Sequence, residues 1–194
     1  MHHPVPRPQS LPSAAVPRAD LAPFLTPSLA TVVSGARRRA LRDGDRQIDT
    51  AHLLHALVES DPEVRAAFEG GPQLARVLGY LVQRSIGYGL RWQRSDEESA
   101  VRRLLPAARG AEPPGTRASP WSPAATAALE SAFRRAAERG EPQARGLDVL
   151  AAVAADPESR AAEVLRRAGV EPAVLAARAT ALTAAPDEEP SQQV

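Results

Sequence analysis

Apolar residues recur at helical spacing in two separate blocks of this chain. In the first block Leu29, Val32, Val33, Ala36 and Ala40 share one face of a helix that begins at the Thr26-Pro27 cap and stops at Gly44. Thr supplies a hydroxyl to an orphan amide, and Pro at the first helical position has no amide to leave unpaired. Asp49 or Thr50 then caps a second helix with an apolar stripe of Leu53, Leu54, Leu57 and Val58. Asp61-Pro62-Glu63 opens a third by the same cap-then-proline logic, and Gly70-Gly71-Pro72 ends it and opens a fourth carrying Leu74, Val77, Leu78, Leu81 and Val82. The second block repeats the plan: Ser122-Pro123 to about Arg139, Leu147 to Ala155, Pro157 to Ala168 and Pro172 to about Thr183.

The two blocks are copies. At a constant offset of 96, Thr26 falls on Ser122, Pro27 on Pro123, Ala36 on Ala132, Gly44 on Gly140, Gln47 on Gln143 and Leu54 on Leu150. One deletion then shifts the matches to 95, so that Asp61-Pro62-Glu63 meets Asp156-Pro157-Glu158 and Arg65-Ala66-Ala67 meets Arg160-Ala161-Ala162. Cap, turn and apolar positions recurring together in one order mark a duplicated helical unit. The domain plan is a Pro-rich disordered arm over 1–24, repeat 1 over 25–84, an inter-repeat segment and loop over 85–120, repeat 2 over 121–184 and an acidic disordered tail over 185–194. In the inter-repeat segment Ile86, Tyr88, Leu90 and Trp92 alternate with Gly and Arg as in an extended stretch. A helix is expected from Ser95 to Leu105.

Composition narrows the class. Hydrophobic residues make up 43% of the 194 but aromatics only 4%, so the core must be built from Ala, Leu and Val, which favours closely packed helices over sheets. With no cysteine, disulfides, thiolate catalysis and Cys-ligated metals are excluded, and a reducing cytoplasm fits. All 24 basic residues are arginine. Without lysine there is no Walker A loop and no Schiff-base chemistry. No apolar run approaches the roughly 20 residues that span a bilayer, and His2-His3-Pro4-Val5-Pro6 has no signal-peptide core. The expected location is the cytoplasm, with no membrane partner.

Tandem units that open with Thr/Ser-Pro, continue through an Ala-rich helix and a Gly turn, and carry Ile48-Asp49-Thr50-Ala51-His52-Leu53-Leu54-His55-Ala56-Leu57 resemble the Clp N-terminal (Clp repeat) domain, whose matching box reads I-G-T-E-H-I-L-L-G-L. The resemblance covers roughly Leu25 to Thr183. It implies an all-α fold, two tandem four-helix repeats forming a pseudo-twofold eight-helix bundle. In Clp-family unfoldases such as ClpA and ClpC that domain precedes the ATPase rings and docks adaptors and substrates, and in ClpC-type members it is also a target of peptide antibiotics. The implied partners are Clp unfoldase or protease components, client proteins or cyclic peptides, with no cofactor. ClpC-type domains place Glu third in both boxes, where it can pair a phosphoarginine. Those positions are Ala51 and Leu147 here, so phosphoarginine recognition by that route is not expected. The expected role is a stand-alone, non-enzymatic peptide- or protein-binding module that modulates Clp proteolysis as an adaptor or by sequestration.

Candidate sites follow from residue type and place. Seven aromatics occur in all. Tyr80, Tyr88 and Trp92 cluster with Arg84 near the inter-repeat segment, a composition suited to binding hot spots and equally to joining the repeats. Phe24, Leu25 and Trp121 stand just before the two caps, where the resemblance places peptide-contacting aromatics. His52 and His55, three apart on a helix, could share a metal, but with no third ligand in view they read as helix-start and core residues, and no metal is expected. No G-x-S-x-G elbow or acid/base constellation supports catalysis. The runs Arg37-Arg38-Arg39, Arg102-Arg103, Arg134-Arg135 and Arg166-Arg167 suggest an alternative, a small Arg-rich nucleic-acid-binding regulator. Neighbouring helical residues diverge by about 100°, which spreads each run around its helix and favours solvated faces.

Overall fold

The computed structural model describes residues 21–85 and 119–184. Among them it holds a 3-10 turn at Ala22–Phe24 and eight α-helices: α1 Pro27–Asp43, α2 Thr50–Ser60, α3 Pro62–Ala66, α4 Gly71–Ser85, α5 Pro123–Glu138, α6 Gly146–Ala155, α7 Arg160–Arg167 and α8 Pro172–Ala184. The fold is all-α, four helices per repeat. The extended stretch and helix expected between residues 86 and 105, and the arm before residue 21, lie outside the described residues.

Local chemistry sets the helix ends alike in both copies. Thr26 Oγ1 accepts from Leu29 N at 3.3 Å and Ser122 Oγ from Ala125 N at 3.2 Å. At the far end Gly44 and Gly140 turn left-handed with φ of 73° and 77°. That turn lets Asp45 N reach Ala40 O and Glu141 N reach Ala136 O, each at 2.9 Å, which satisfies carbonyls the helix leaves open. Third helices differ. Asp61 caps α3, but in repeat 2 the Asp156-Pro157-Glu158 segment forms a turn and α7 starts at Arg160, three residues later than the proline signal predicts. Ser159 is the reason. Its hydroxyl donates to Val153 O at 2.8 Å and accepts from Ala162 N at 3.0 Å, so a buried serine takes the cap.

Helices α2 and α6 are the core. Every residue from Thr50 to Val58 and from Gly146 to Ala154 is buried, so both helices are enclosed all round rather than on a single stripe. α1 lies along α2 and α5 along α6. α8 packs closely along α6 because Ala176 and Ala179 let the two backbones approach. α4 buries only Val77 and Leu81, contacts α2 and α7 more loosely, and leaves Val82 exposed.

The repeats meet around an approximate twofold axis. Thr50 Oγ1 accepts from Ala161 N at 3.2 Å, and the residue in the place of Thr50 in repeat 2, Gly146, lies against the start of α3. Arg76 Nε donates to Ala168 O at 3.2 Å and Arg178 pairs with Glu69 at 3.1 Å, tying α4 and the turn before it to repeat 2.

Candidate binding interface between the repeats

The segments that precede the two caps are exchanged. Leu25 runs parallel to Ala144 and Trp121 parallel to Ile48, so each arm pairs with the loop of the other repeat. Thr26 N donates to Ala144 O at 3.2 Å and Ala144 N to Phe24 O at 2.9 Å; in the mirrored place Ser122 N donates to Ile48 O at 2.9 Å and Ile48 N to Pro120 O at 2.7 Å. Two glutamines repeat the symmetry: Gln47 Nε2 donates to Ser119 O at 3.2 Å, and Gln143 Nε2 to Pro23 O at 3.5 Å. The amide of a cap residue has no partner within its own helix, so Thr26 N and Ser122 N complete their hydrogen bonding on the other repeat. The arms are therefore preorganised strips of backbone.

Their side chains divide into buried and open. Leu25 is 5% exposed and belongs to the core, whereas Phe24 is 41% exposed. Phe24 stands 6.0 Å, centroid to centroid, from Phe133 of α5, a tilted pair within the range in which aromatic quadrupoles attract. Trp121 is half-buried beside Ile48, and Tyr80 is half-buried on α4. Arg84, at the end of α4, is turned inward onto Asp49. Tyr88 and Trp92 lie outside the described residues. Thus Phe24 joins Phe133, while Tyr80 and Arg84 sit on α4 and Trp121 on its own arm. Phe133 escapes sequence reasoning because its place in repeat 1 is Arg37, so the duplication carries no signal for it. Gln47 and Gln143 were visible there as a repeated pair.

Asp49 is the electrostatic hub below the interface. It caps α2 through His52 N at 2.9 Å, receives Arg84, and receives Arg160 Nη1 from α7 at 2.7 Å, so one carboxylate joins both repeats. Burial opposes its ionisation, but the hydrogen bond from His52 and the charge of Arg84 overcome this and hold its pKa well below the carboxylate range. His52 answers with Nδ1, which accepts from Asp49 N at 3.0 Å. Burial works against its charged form, yet Asp45 and Asp49 raise its pKa.

His55 behaves in the opposite way. Burial and the nearby Arg39 guanidinium lower its pKa from 6.5 to about 4, with Glu59, Asp43 and Arg42 also facing it. The unfolded chain therefore binds this proton first, and its contribution to stability, present above pH 6.5, is lost as pH falls towards 4. His55→Ala, which restores the residue found at the matching Ala151, should flatten that acid loss by about 2 kcal/mol between pH 7 and 4.5. Urea melts of both proteins at the two pH values check this. Equal losses in the two proteins would show that His55 titrates like a solvated histidine.

Of the arginine runs that suggest nucleic acid in the sequence, Arg39 and Arg167 pair with acids, whereas Arg135 donates to Thr180 Oγ1 and Arg166 to Pro157 O. Arg39 pairs with Glu59, Arg139 with Asp148 and Glu141, Arg160 with Asp49, Arg167 with Glu163 and Arg178 with Glu69. Among the described residues no helix is long and apolar enough to cross a membrane.

No family model matches the chain, and no curated protein matches it. Among solved structures it is similar to one from preliminary structural investigations of a malarial protein secretion system, at a TM-score of 0.53 and 14% identity over 83% of this chain and 95% of that one. It also aligns with the N-terminal domain of the caseinolytic protease associated chaperone ClpD from Arabidopsis thaliana, at 18% identity and a TM-score of 0.49, over 86% of this chain and 97% of that one. The first likeness is one of fold. The observed all-α architecture of two four-helix units agrees with the fold expected from the resemblance at Ile48–Leu57.

Proposed function

We propose that this protein is a non-enzymatic polypeptide-binding module of the Clp N-domain kind. It modulates Clp-dependent proteolysis, either by bringing clients to an unfoldase or by sequestering peptides and peptide antibiotics. The observation that supports this reading is Phe24: an aromatic side chain 41% exposed, tilted against Phe133 and carried by an arm whose backbone is held by the other repeat. A rigid, open aromatic of this kind offers apolar contact with little ordering cost to the protein. Trp121, on the symmetry-related arm, gives the second contact.

Titration with cyclic peptides that engage ClpC N-domains tests the reading. Saturable binding by calorimetry is expected, with a change in Trp emission in the wild type. Phe24→Ala and Trp121→Ala should each weaken it by about tenfold, the size of one hot-spot contact. No binding by the wild type, or unchanged affinity in both variants, would reject it.

A further inference from the structure

The two copies handle one position with opposite charge. In repeat 2 the residue three into α6, Asp148, is buried and takes a bidentate guanidinium from Arg139, at 2.7 and 2.8 Å, while Arg139 also pairs with Glu141 at 2.9 Å. A built-in cation thus sits between two carboxylates. In repeat 1 the same places are His52 for Asp148, Asp45 for Glu141 and, where Arg139 stands, Asp43. The cation's place carries an acid.

His52 Nε2 points into this corner. Its side chain is 1% exposed, and Nε2 makes no aligned hydrogen bond, although Asp45 Oδ2 lies 3.2 Å and Asp43 Oδ2 3.6 Å away. Donor atoms of a tetrahedral zinc site with bonds near 2.0 Å are about 3.3 Å apart, so the Asp45 separation already suits ligands of one ion, whereas Asp43 must swing closer to join it. Gly44, in its left-handed turn, is what brings the flanking aspartates round to one nitrogen. Asp45, Asp49 and His52 also offer ligand atoms within 4.8 Å of one another.

Charge and hydrogen bonding around the corner point the same way. Three carboxylates, of Asp43, Asp45 and Asp49, face the guanidinium groups of Arg84 and Arg160, both directed at Asp49 Oδ2, and Arg84 stands 3.5 Å from Asp45. Arg42, 65% exposed, reaches Asp43 only at 3.8 Å. Ser85 Oγ donates to Asp43 Oδ2 at 3.0 Å and would hold that carboxylate as a ligand. Asp49 Oδ1 lies 2.9 Å from His52 Nδ1, so the imidazole hydrogen can move from Nε2 to Nδ1 and donate there. That exchange gives up the bond from Asp49 N and frees the Nε2 lone pair, the carboxylate–histidine–metal arrangement. Asp45, 41% exposed, opens the corner to solvent and leaves a coordination position for water.

We propose that His52 Nε2 and Asp45, with the Asp43 carboxylate drawn in as third ligand, form a divalent-cation site of the zinc class, oriented by Asp49 and filled in repeat 2 by the Arg139 guanidinium. The site is independent of the peptide-binding reading. The test uses the full chain carrying His2→Ala and His3→Ala, so that the N-terminal pair cannot bind the probe. Zn²⁺ is titrated by calorimetry, and Co²⁺ by its visible absorption. One ion per chain and the intense bands of four-coordinate cobalt are expected. Asp45→Asn, at an exposed residue that leaves the core intact, should weaken binding at least about tenfold. Asp43→Arg, which imports the repeat-2 arrangement, should abolish it. Absence of Zn²⁺ binding by the parent, or binding undiminished in a folded Asp45→Asn protein, overturns the proposal. If Asp43→Arg does not fold, Asp45→Asn decides.

Discussion

Replacing Gly146 by alanine should cost about 3 to 5 kcal/mol and lower the melting temperature by about 10 °C. The cause is space rather than backbone conformation. A Cβ at this position would fall on Asp61 Oδ2, 3.0 Å from Asp61 Cγ and 3.2 Å from Val64 Cγ2. Asp61 cannot simply move aside. It is 3% exposed, and its carboxylate caps α3 by accepting from Glu63 N at 3.0 Å and Val64 N at 3.3 Å, with Ser28 Oγ donating to it at 3.4 Å. Displacing it gives up a cap and forces α6 away from α3 across the repeat boundary. The equivalent residue in repeat 1 makes the contrast plain, because Thr50 uses its side chain to accept from Ala161 N. Thermal melts measure the effect. Asp61→Ser introduced with Gly146→Ala should recover part of the loss, since the smaller cap leaves room for the methyl. A melting temperature within about 2 °C of wild type for the single variant would be incompatible with this docking of α6.

Arg139→Met is expected to cost about 3 kcal/mol. Asp148 is 1% exposed at its side chain, and Arg139 supplies two of its hydrogen bonds together with the balancing charge. Removing the guanidinium leaves a buried carboxylate with Arg145 N, at 2.9 Å, still donating to it. Methionine keeps most of the packing of the arginine stem, so the loss is electrostatic. The double variant Arg139→Met, Asp148→Asn should regain about half of it, since the amide oxygen still accepts from Arg145 N while the charge is gone. Chemical denaturation of the four proteins closes the cycle. Additive losses would mean that the two side chains are not coupled in the folded protein.

Both effects lie where the copies differ, and this separates what a reader of the sequence can find from what stays hidden. The Thr26-Pro27 and Ser122-Pro123 starts and the Gly44 and Gly140 stops were all legible, and the cap of α2 was narrowed to Asp49 or Thr50, because each is a bond between residues a few positions apart. The start of α7 was not. Asp156-Pro157 looks like a cap as good as Asp61-Pro62, and only the approach of Ser159 to Val153 O moves the helix forward to Arg160. The surroundings of the candidate residues were less legible. Phe24 and Trp121 were singled out from their place before the caps, but nothing in the sequence set Phe24 against Phe133 or turned Arg84, read beside the aromatics, onto Asp49.

By itself the sequence determined an all-α chain made of a duplicated four-helix unit, with its caps, turns and apolar faces, because those features depend on local hydrogen bonds and on the period of the helix. Only the tertiary structure decided how the copies dock: the exchange of arms between Leu25 and Ala144 and between Trp121 and Ile48, the fit of Gly146 against Asp61, and the gathering of Arg84, Arg160 and His52 around one buried carboxylate. Such contacts join residues far apart in the chain. Their partners are chosen by shape and by the need to pair every buried charge, neither of which leaves a periodic trace in the sequence.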